Sequence, residues 1–510
     1  MIGFFQGLAV FLTSAAGLVV EIVAGRLIAP YVGMSVYSWT AIIAVVLAGF
    51  SIGHWLGGLM ADKARDRMGA YRGLARVLAL AAASTLAAVP LLRLVAGPLL
   101  TSSLGALPVI LAISGAVFFL PSLFVGVLSP VITKLAVDAA GDHAGPAIGR
   151  MYALSALGAI AGTVAAGFVF LAWLGSVVTL MVVAGLHAAL ALAFWWLGGR
   201  VKTDALAAVG IALAIVGWGH ARDGFASPCE RESAYFCLRS AEAQTETDRP
   251  SRLMALDHLV HGINDRDDPG WIASPYVQFV DRYLDLRHPG PKPVSAFFVG
   301  GGAFTLPRAW ATGRPGSDLL VAEIDPAVTE LARDRLWLAD WMGALDIRHK
   351  DARWALQDLA ALPRFDVVFG DAFHDIAVPA HLTTQEWHEA VAARLMPGGF
   401  YAINAVDRGT EPLFVLSLAR TLFETFPVVE VWRSLHEISA QGRTTYIVVA
   451  GSTDSGQLIL RANRPPDAAW VRLKPEALAR RLAAKPAPLL LTDAFAPVDR
   501  LLATLLLDHP

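Results

Sequence analysis

Charged side chains are scarce in this sequence, and cysteines are scarcer still. Asp, Glu, Lys and Arg make up 16% of the 510 residues, against about 25% in ordinary soluble domains. Hydrophobic residues make up 55%, and the mean hydropathy is +0.53. These values are too apolar for an ordinary soluble protein. The formal net charge of −2, without a basic patch interleaved with aromatics, gives no reason to expect a nucleic-acid partner.

The apolar excess lies in residues 1–220, whereas 221–510 is punctuated by Asp, Arg, Pro and His as in soluble proteins. A membrane-crossing helix needs about 20 apolar residues. The sequence contains seven apolar segments of roughly this length, which predict seven membrane spans. They lie near 4–24, 39–61, 74–95, 107–128, 152–173, 177–197 and 205–218. The first contains Glu21, lacks a basic start and runs into a second span, so we predict that it is not a cleaved signal peptide.

Basic residues in the short loops predict how these spans are oriented, because cytoplasmic loops carry an excess of Lys and Arg. The loops after the second, fourth and sixth spans are the basic ones, with Lys63, Arg65, Arg67, Arg72, Arg76, Lys134, Arg150, Arg200 and Lys202. The alternate loops hold little beyond Arg26. We therefore expect a multi-pass protein of the bacterial inner membrane, with its C-terminal part on the outer, periplasmic face.

The only two cysteines, Cys229 and Cys237, follow the last predicted span. Eight residues apart, they could close a disulfide in an oxidising compartment, which would agree with an outer location. Two unpaired thiols are an equally open alternative at this point.

The soluble part divides into three predicted segments. Residues 221–290 contain short, partly alternating apolar runs that predict a small β-domain, and 291–460 alternates strands and helices as a parallel sheet requires. We place strands at SAFFVG, DLLVAEI, DIRHK, FDVVFGD, GGFYAINAV and RTTYIVVAG. Residues 461–510 predict a mostly helical tail.

A glycine-rich turn opens the strand–helix region. The apolar run VSAFFV ends in Gly300, Gly301 and Gly302, and Glu323 follows the next apolar run at roughly the twenty-residue spacing of nucleoside-binding α/β sheets. Glycines allow close approach of the backbone to a ligand, and the carboxylate can bind ribose hydroxyls. An ordinary turn between buried strands is the alternative for the glycines alone.

Acidic residues recur where the predicted strands end, at Glu323, Asp351 and Asp371. A single acid in such a place is usually a turn former or a helix cap. Open parallel sheets bind ligands at the carboxyl ends of their strands, so three successive acids behind a triple glycine favour one shared site.

These motifs, in this order, resemble those of the spermidine synthases. The resemblance rests on GGG at 300–302, EID at 323–325, DAR at 351–353 and FDVVFGDAF at 365–373, preceded by MALDHLVHG at 254–262. GGLMADKARDR at 57–67 is similar to a loop of major-facilitator transporters, and LTDAFAPVDRLL at 491–502 is similar to the end of membrane-fused synthases. The whole chain resembles the fused major-facilitator/spermidine synthase family of bacteria. This resemblance implies three parts: a helical membrane domain similar to half of a major-facilitator transporter, a small β-domain, and a Rossmann-like domain of the methyltransferase type.

The resemblance implies a polyamine aminopropyltransferase, which uses decarboxylated S-adenosylmethionine as co-substrate and releases methylthioadenosine. It implies that Asp371 is catalytic and that the donor nucleoside is bound by Gly300, Gly301, Gly302, Glu323 and Asp351. Candidates for binding the polyamine are Asp257, His261, Tyr276 and Asp375, with Asp267 and Asp268 as further acids. An amine must lose its proton before it attacks a carbon next to sulfonium, which explains a carboxylate at position 371. No residue spacing requires a metal ion.

The sequence departs from the family after the triple glycine. Ala303 stands where soluble members have an aspartate that faces the aminopropyl ammonium of the donor. Without that aspartate, the site lacks one interaction that would favour the decarboxylated donor over ordinary S-adenosylmethionine. An S-adenosylmethionine-dependent methyltransferase acting on a membrane-proximal acceptor is therefore one alternative. A transporter or sensor that binds nucleoside or polyamine without turnover is another. The expected partners are a small polyamine and the lipid bilayer, with a homodimer left open.

Overall fold

The computed structural model describes residues 2–244, 249–359, 364–373, 377–440, 442–503 and 505. The chain forms two compact units, Met1–Cys237 and Leu238–Pro510. The second unit holds most of the predicted β-domain, from residue 238 on, together with the strand–helix region and the tail. The finer domain boundaries stay predictions.

The first unit is helical. Its α-helices are α1 (Ile2–Val32), α2 (Val36–Lys63), α3 (Arg67–Leu100), α4 (Ala106–Ala140), α5 (Ala144–Ala165), α6 (Leu171–Leu197) and α7 (Lys202–His220). Five described helical stretches are long and apolar enough to cross a membrane, and the stretch Ala106–Leu197 includes α4, α5 and α6. Within α6, Gly175 has a non-helical backbone, between the fifth and sixth predicted spans. A count of seven spans and insertion into a membrane stay predictions.

Small residues let these helices approach closely. A Cβ atom on Gly53 would lie 2.2 Å from the carbonyl oxygen of Leu123, where α2 meets α4. Gly158 and Gly162 of α5 face α1 in the same way, each 2.2 Å from a backbone oxygen. Packing between apolar helices in lipid depends on such backbone proximity, because burial of apolar surface supplies little driving force there.

The segment after α7 contains a disulfide between Cys229 and Cys237. Of the two alternatives that the sequence leaves open, the structure therefore has the bonded one. The short strand β1 (Arg231–Glu232) lies between the two cysteines.

The second unit begins with antiparallel hairpins. Strands β2 (Cys237–Ala243), β3 (Ser251–Leu256) and β4 (Leu259–Asp265) pair in chain order, and helix α8 (Pro275–Arg287) follows. The prediction of short strands before the glycine loop is confirmed for these residues.

A nine-stranded sheet forms the rest of this unit. Its strands are β5 (Ser295–Val299), β6 (Asp318–Ala322), β7 (Leu345–Arg348), β8 (Phe365–Gly370), β9 (Leu395–Arg408), β10 (Val428–Ser434), β11 (Arg443–Gly451), β12 (Ile459–Arg461) and β13 (Ala469–Arg472). The helices are α9 (Thr305–Gly313), α10 (Pro326–Arg335), α11 (Ala352–Gln357), α12 (Gln385–Ala392), α13 (Leu413–Phe423), α14 (Pro475–Leu482) and α15 (Val498–Leu501).

The order of the strands is β12-β13-β10-β11-β9-β8-β5-β6-β7. Strands β7, β6, β5, β8 and β9 are parallel, and β11 is antiparallel to its neighbours. The chain runs outward from β5 to β7 and returns to β8 on the other side of β5. Ligands bind in the crevice that such a reversal leaves at the carboxyl ends of the strands.

All six strands predicted for this region are present. The runs of β5, β6 and β8 are largely apolar, because both faces of a parallel sheet are covered. Phe297 of β5 and Val368 of β8 are fully buried in the core. Three strands depart from the prediction. Strands β10 and β12 were not predicted, and β13 lies within the tail that was expected to be mostly helical, where it pairs with both of them.

Candidate active site

The loop after β5 requires its glycines. Gly300 and Gly302 have φ angles of +97° and +49°, which are unfavourable for residues with a Cβ atom. A Cβ atom on Gly300 would lie 2.7 Å from the carbonyl oxygen of Asp371, and one on Gly302 would lie 2.8 Å from that of His261. The loop is therefore held between the end of β8 and strand β4.

Glu323 supports this loop from the end of β6. Its carboxylate accepts hydrogen bonds from the backbone N–H of Gly301 at 2.8 Å and of Asp325 at 2.9 Å. Burial raises the pKa of Glu323, and these amides act against the rise. Each carboxylate oxygen has a further lone pair. The arrangement leaves acceptor capacity for hydroxyl groups beside the glycines.

Asp371 follows β8 and is bonded by two neutral donors. Asn404 donates from Nδ2 to Oδ1 at 2.8 Å, and the Tyr276 hydroxyl donates to Oδ2 at 3.3 Å. Burial raises the pKa of Asp371 to about 7, although both hydrogen bonds act to lower it. A carboxyl group with a pKa near neutrality can take up and release a proton under physiological conditions.

His261 and Tyr276 lie at the same cavity as Asp371. The cavity is lined by residues of β4, α8, the glycine loop and the end of β8, among them His261, Tyr276, Gly300, Ala303 and Asp371. Burial lowers the pKa of His261 to about 4, and the charges of His258 and Arg443 act in the same direction. His261 is therefore neutral at physiological pH. The structure brings these two polyamine-binding candidates to Asp371.

Asp351 lies apart from Asp371. It caps α11, accepting from the backbone N–H of Arg353 at 2.9 Å, and its other oxygen is 2.7 Å from Nε2 of His381. Burial acts to raise the pKa of Asp351, but the His381 contact and the amides outweigh it and lower that pKa. Three strand spacings separate β7 from β8, which is about 14 Å at about 4.8 Å each. The predicted donor residues Gly300–Gly302, Glu323 and Asp351 thus follow three adjacent strands, β5, β6 and β7.

The remaining acidic candidates have other surroundings. Asp257 is buried in the turn between β3 and β4, with a φ of +52°. Asp267 pairs with Arg266 at 2.9 Å, and Asp268 lies 3.5 Å from Arg249. Asp375 lies outside the described residues. Within the described residues, the side-chain hydrogen bonds of Asp371 come from Asn404 and Tyr276, and not from Asp257, Asp267 or Asp268.

Two residues of the site were not predicted. Asn404 binds Asp371, and His381 binds Asp351. A polar residue inside the apolar run FYAINAV was a signal for Asn404, because buried polar groups need partners. His381 gave no such signal, since it lies in a loop region without periodicity.

Ala303 is closely packed. It is 1% exposed, and its Cβ lies 2.6 Å from the position that a Cβ on Gly262 would occupy. Asn264 donates to the Ala303 carbonyl at 2.7 Å and accepts from Thr305 at 2.7 Å. The backbone after the triple glycine is therefore fixed to β4, and position 303 offers no charge to a ligand.

No group of three or more His, Cys, Asp or Glu side chains within the described residues is arranged to hold a metal ion. The chain matches no known family model. It is 29% identical over 110 residues to a probable polyamine aminopropyl transferase of Bifidobacterium longum, a match covering 22% of this chain and 24% of the relative. The matched part spans about a quarter of that relative's length. Part of the chain is thus similar in sequence to an aminopropyltransferase.

Solved structures of two kinds are similar to the chain. A probable spermidine synthase from Corynebacterium glutamicum has a TM-score of 0.41 and 20% identity, covering 51% of this chain and 94% of the other. Human methyltransferase-like protein 13 in complex with SAH has a TM-score of 0.30 and 20% identity, covering 36% of this chain and 86% of the other.

Proposed function

We propose that this protein is a membrane-bound polyamine aminopropyltransferase of the spermidine synthase type. It moves an aminopropyl group from decarboxylated S-adenosylmethionine to a di- or polyamine and releases methylthioadenosine. The observation that carries the proposal is Asp371, a carboxyl group with a pKa of about 7 at the carboxyl end of β8, bonded by Tyr276 and Asn404. The sequence similarity to a probable polyamine aminopropyl transferase supports it.

Asp371 acts on the attacking amine. A protonated amine has no lone pair for attack, so Asp371 accepts one proton from the ammonium group. The freed lone pair forms a new C–N bond at the carbon next to the sulfonium. The C–S bond breaks, and its electron pair stays on sulfur, which becomes the neutral thioether of methylthioadenosine. The Tyr276 and Asn404 hydrogen bonds fix the carboxylate, so the amine is aligned with the reacting carbon.

The donor lies along the sheet edge in this proposal. Gly300, Gly301 and Gly302 pass beneath the thioadenosyl group, Glu323 binds the ribose hydroxyls and Asp351 binds the adenine amine. The polyamine extends from Asp371 toward His261 and Tyr276, with Asp257 and Asp375 as acidic candidates for its other charges. His261 suits a cationic substrate because its neutral imidazole does not repel it.

One incubation separates this function from its alternatives. The full-length protein is given either decarboxylated or ordinary S-adenosylmethionine together with a panel of polyamines, and the nucleoside product is identified. We expect methylthioadenosine with the decarboxylated donor. Methylthioadenosine formation at the same rate in Asp371→Asn would overturn the mechanism, and its absence with every polyamine would overturn the function.

A methyltransferase using S-adenosylmethionine is the second candidate. Ala303 favours it, because a buried alanine provides neither attraction for an ammonium group nor repulsion of a donor carboxylate. S-adenosylhomocysteine as the product would establish this alternative. Bound nucleoside without either product would instead favour a binding protein or transporter.

We also propose that the protein is a multi-pass protein of the bacterial inner membrane, with its catalytic unit on the outer face. The apolar helices, the basic loops after the even-numbered predicted spans and the Cys229–Cys237 disulfide support this location. Donors of this class are made in the cytoplasm. An outer site would therefore need a substrate to cross the membrane.

A further inference from the structure

A groove on the second unit lies away from the residues assigned above. Residues of α13, β10, β11, the end of β13 and α14 line it, and its volume is about 340 Å³. Its lining includes the apolar residues Val415, Leu416 and Val431, which we call the apolar floor, and Ile438, which is 47% exposed. We call it the basic groove, because three cationic side chains accompany this apolar surface.

The three cations are Arg433, Lys474 and Arg481. No Asp or Glu is among the described residues that line the groove. Arg472 also lines it, but Arg472 is already paired with Asp454 at 2.6 Å. The basic groove therefore combines an apolar floor with an excess of positive charge that the described lining does not neutralise.

Two of these cations, Arg433 and Arg481, act electrostatically on Tyr446, which lines the groove beside them. Burial raises the pKa of Tyr446, whereas a hydrogen bond from Arg433 and the charges of Arg433 and Arg481 act to lower it. Arg433 also donates to the carbonyl oxygens of Gly409, at 3.2 Å, and Ile438, so its guanidinium is held in place. Pre-positioned guanidinium groups match the geometry of phosphate oxygens.

One buried carboxylate also acts on Tyr446. Asp407 acts to raise the pKa of Tyr446, but Asp407 is 1% exposed and accepts from the backbone N–H of Val415 at 3.0 Å and of Arg408 at 2.8 Å. Burial raises its own pKa to about 6. Its carboxylate oxygens bind the backbone N–H groups of Arg408 and Val415, and Asp407 is not among the described residues that line the groove, whereas the cations are.

We propose that the basic groove binds an anionic membrane phospholipid, with an acyl chain on the apolar floor and the phosphate between Arg433 and Arg481. Charge complementarity identifies an anion, and the floor and Ile438 identify an apolar body attached to it. The same chain carries helices apolar enough to cross a membrane, so phospholipid is the amphiphile at hand. This inference rests on the proposed membrane location but not on the proposed enzymatic function.

Photolabelling of the full-length protein tests the proposal. The protein is placed in phosphatidylcholine nanodiscs that contain a small fraction of phosphatidylglycerol with a diazirine in its acyl chain, and labelled peptides are mapped by mass spectrometry. Labelling of the apolar helices serves as the internal reference. We expect additional labelling within 412–416, 431–438 or 471–481, competed by unlabelled phosphatidylglycerol.

Matched variants give the decisive comparison. Arg433→Gln with Arg481→Gln should lower groove labelling on the order of tenfold relative to the helices, because each cation near an anionic lipid surface adds to the attraction. Arg480→Gln removes a charge next to Arg481 but outside the described groove lining, so labelling should persist. A thermal unfolding measurement confirms that each variant is folded.

Four outcomes would overturn the proposal. These are equal groove labelling by a phosphatidylcholine analogue, unchanged labelling in the double variant, labelling confined to the helices, and competition by a free fatty acid but not by phosphatidylglycerol. The last result would assign the basic groove to a soluble amphiphile. Turnover is not measured, so failure of the proposed enzymatic function would leave this test unaffected.

Discussion

The hydroxyl of Tyr276 donates to Oδ2 of Asp371 at 3.3 Å, across 95 residues of sequence. With Asn404 on the other carboxylate oxygen, Asp371 has two neutral donors and a pKa of about 7. A carboxylate used only as a structural ion pair would face a cation and have a lowered pKa. The relationship instead favours a group that exchanges protons with a ligand, and it leads to the first two predictions.

Replacing Asp371 by Asn should lower methylthioadenosine formation by roughly 10²- to 10⁴-fold, because the general base is lost. Burial raises the folded-state pKa of Asp371, so stability falls as pH rises from the unfolded value of 3.8 through about 7. The Asn variant should therefore unfold at an equal or higher temperature at pH 8. Asp318→Asn, an exposed acid at the start of β6, is the control and should change neither property.

The pH profile of kcat/KM should rise through about pH 7 as Asp371 loses its proton. The Tyr276 hydrogen bond stabilises the charged carboxylate, so Tyr276→Phe should move the rise to higher pH. The midpoint of the rise should move by roughly half a pH unit to one pH unit, because one ordinary hydrogen bond contributes about that much free energy. Rate measurements from pH 5 to 9 check this. A shift to lower pH would contradict the assigned hydrogen bond.

Glu323→Gln should weaken nucleoside binding. The Glu323 carboxylate accepts hydrogen bonds from the backbone N–H groups of Gly301 and Asp325. In the Gln variant, one of these N–H groups would face the amide NH₂ group instead of an oxygen. The unsatisfied donor would displace the glycine loop, and the Gln side chain has one carboxylate oxygen fewer for the ribose hydroxyls, so we expect the affinity to fall on the order of tenfold to a hundredfold. Calorimetric titration with methylthioadenosine measures the effect. Glu424→Gln, at an exposed position after α13, should bind as the unmodified protein does.

Gly302→Ala should both destabilise the second unit and abolish activity. Position 302 has a φ of +49°, and a Cβ would lie 2.8 Å from the carbonyl oxygen of His261. The left-handed conformation alone costs about 1–2 kcal/mol for a residue with a side chain. Denaturant unfolding measures the loss. Gly313→Ala, with nothing within 4 Å, is the matched control and should not destabilise.

Thiol labelling should reveal the side of the membrane on which the disulfide lies. Cys229 and Cys237 are the only cysteines, so any labelling reports on this pair. In intact cells, an impermeant maleimide should label the protein only after treatment with an impermeant reductant. Labelling that requires permeabilised cells would place the pair inside and reverse the proposed orientation. Cys229→Ser with Cys237→Ser gives the background.

Local rules of the sequence determined the framework of the site. The apolar runs SAFFV and FDVVFG became the central strands β5 and β8, because a strand covered on both faces is apolar throughout. Gly300 and Gly302 are required by backbone angles that only glycine adopts readily. The acids at strand ends were predictable because parallel strands end at a common edge. These features depend on neighbours in the chain, so the sequence alone predicts them.

The tertiary structure determined which residues bind the strand-end acids. Asn404 reaches Asp371 because β9 pairs with β8, and Tyr276 reaches it from α8, which precedes the sheet. Asp351 is bound by His381, 30 residues away, although its position suggested a site shared with Asp371. Strand β13 pairs with β10 within the tail that was expected to be mostly helical, and this pairing joins segments that are distant in the chain. Glycines, apolar runs and strand-end acids can be recognised from short stretches of sequence. The pKa of Asp371 depends instead on burial and on hydrogen-bond donors that are distant in the chain and come together only in the folded protein.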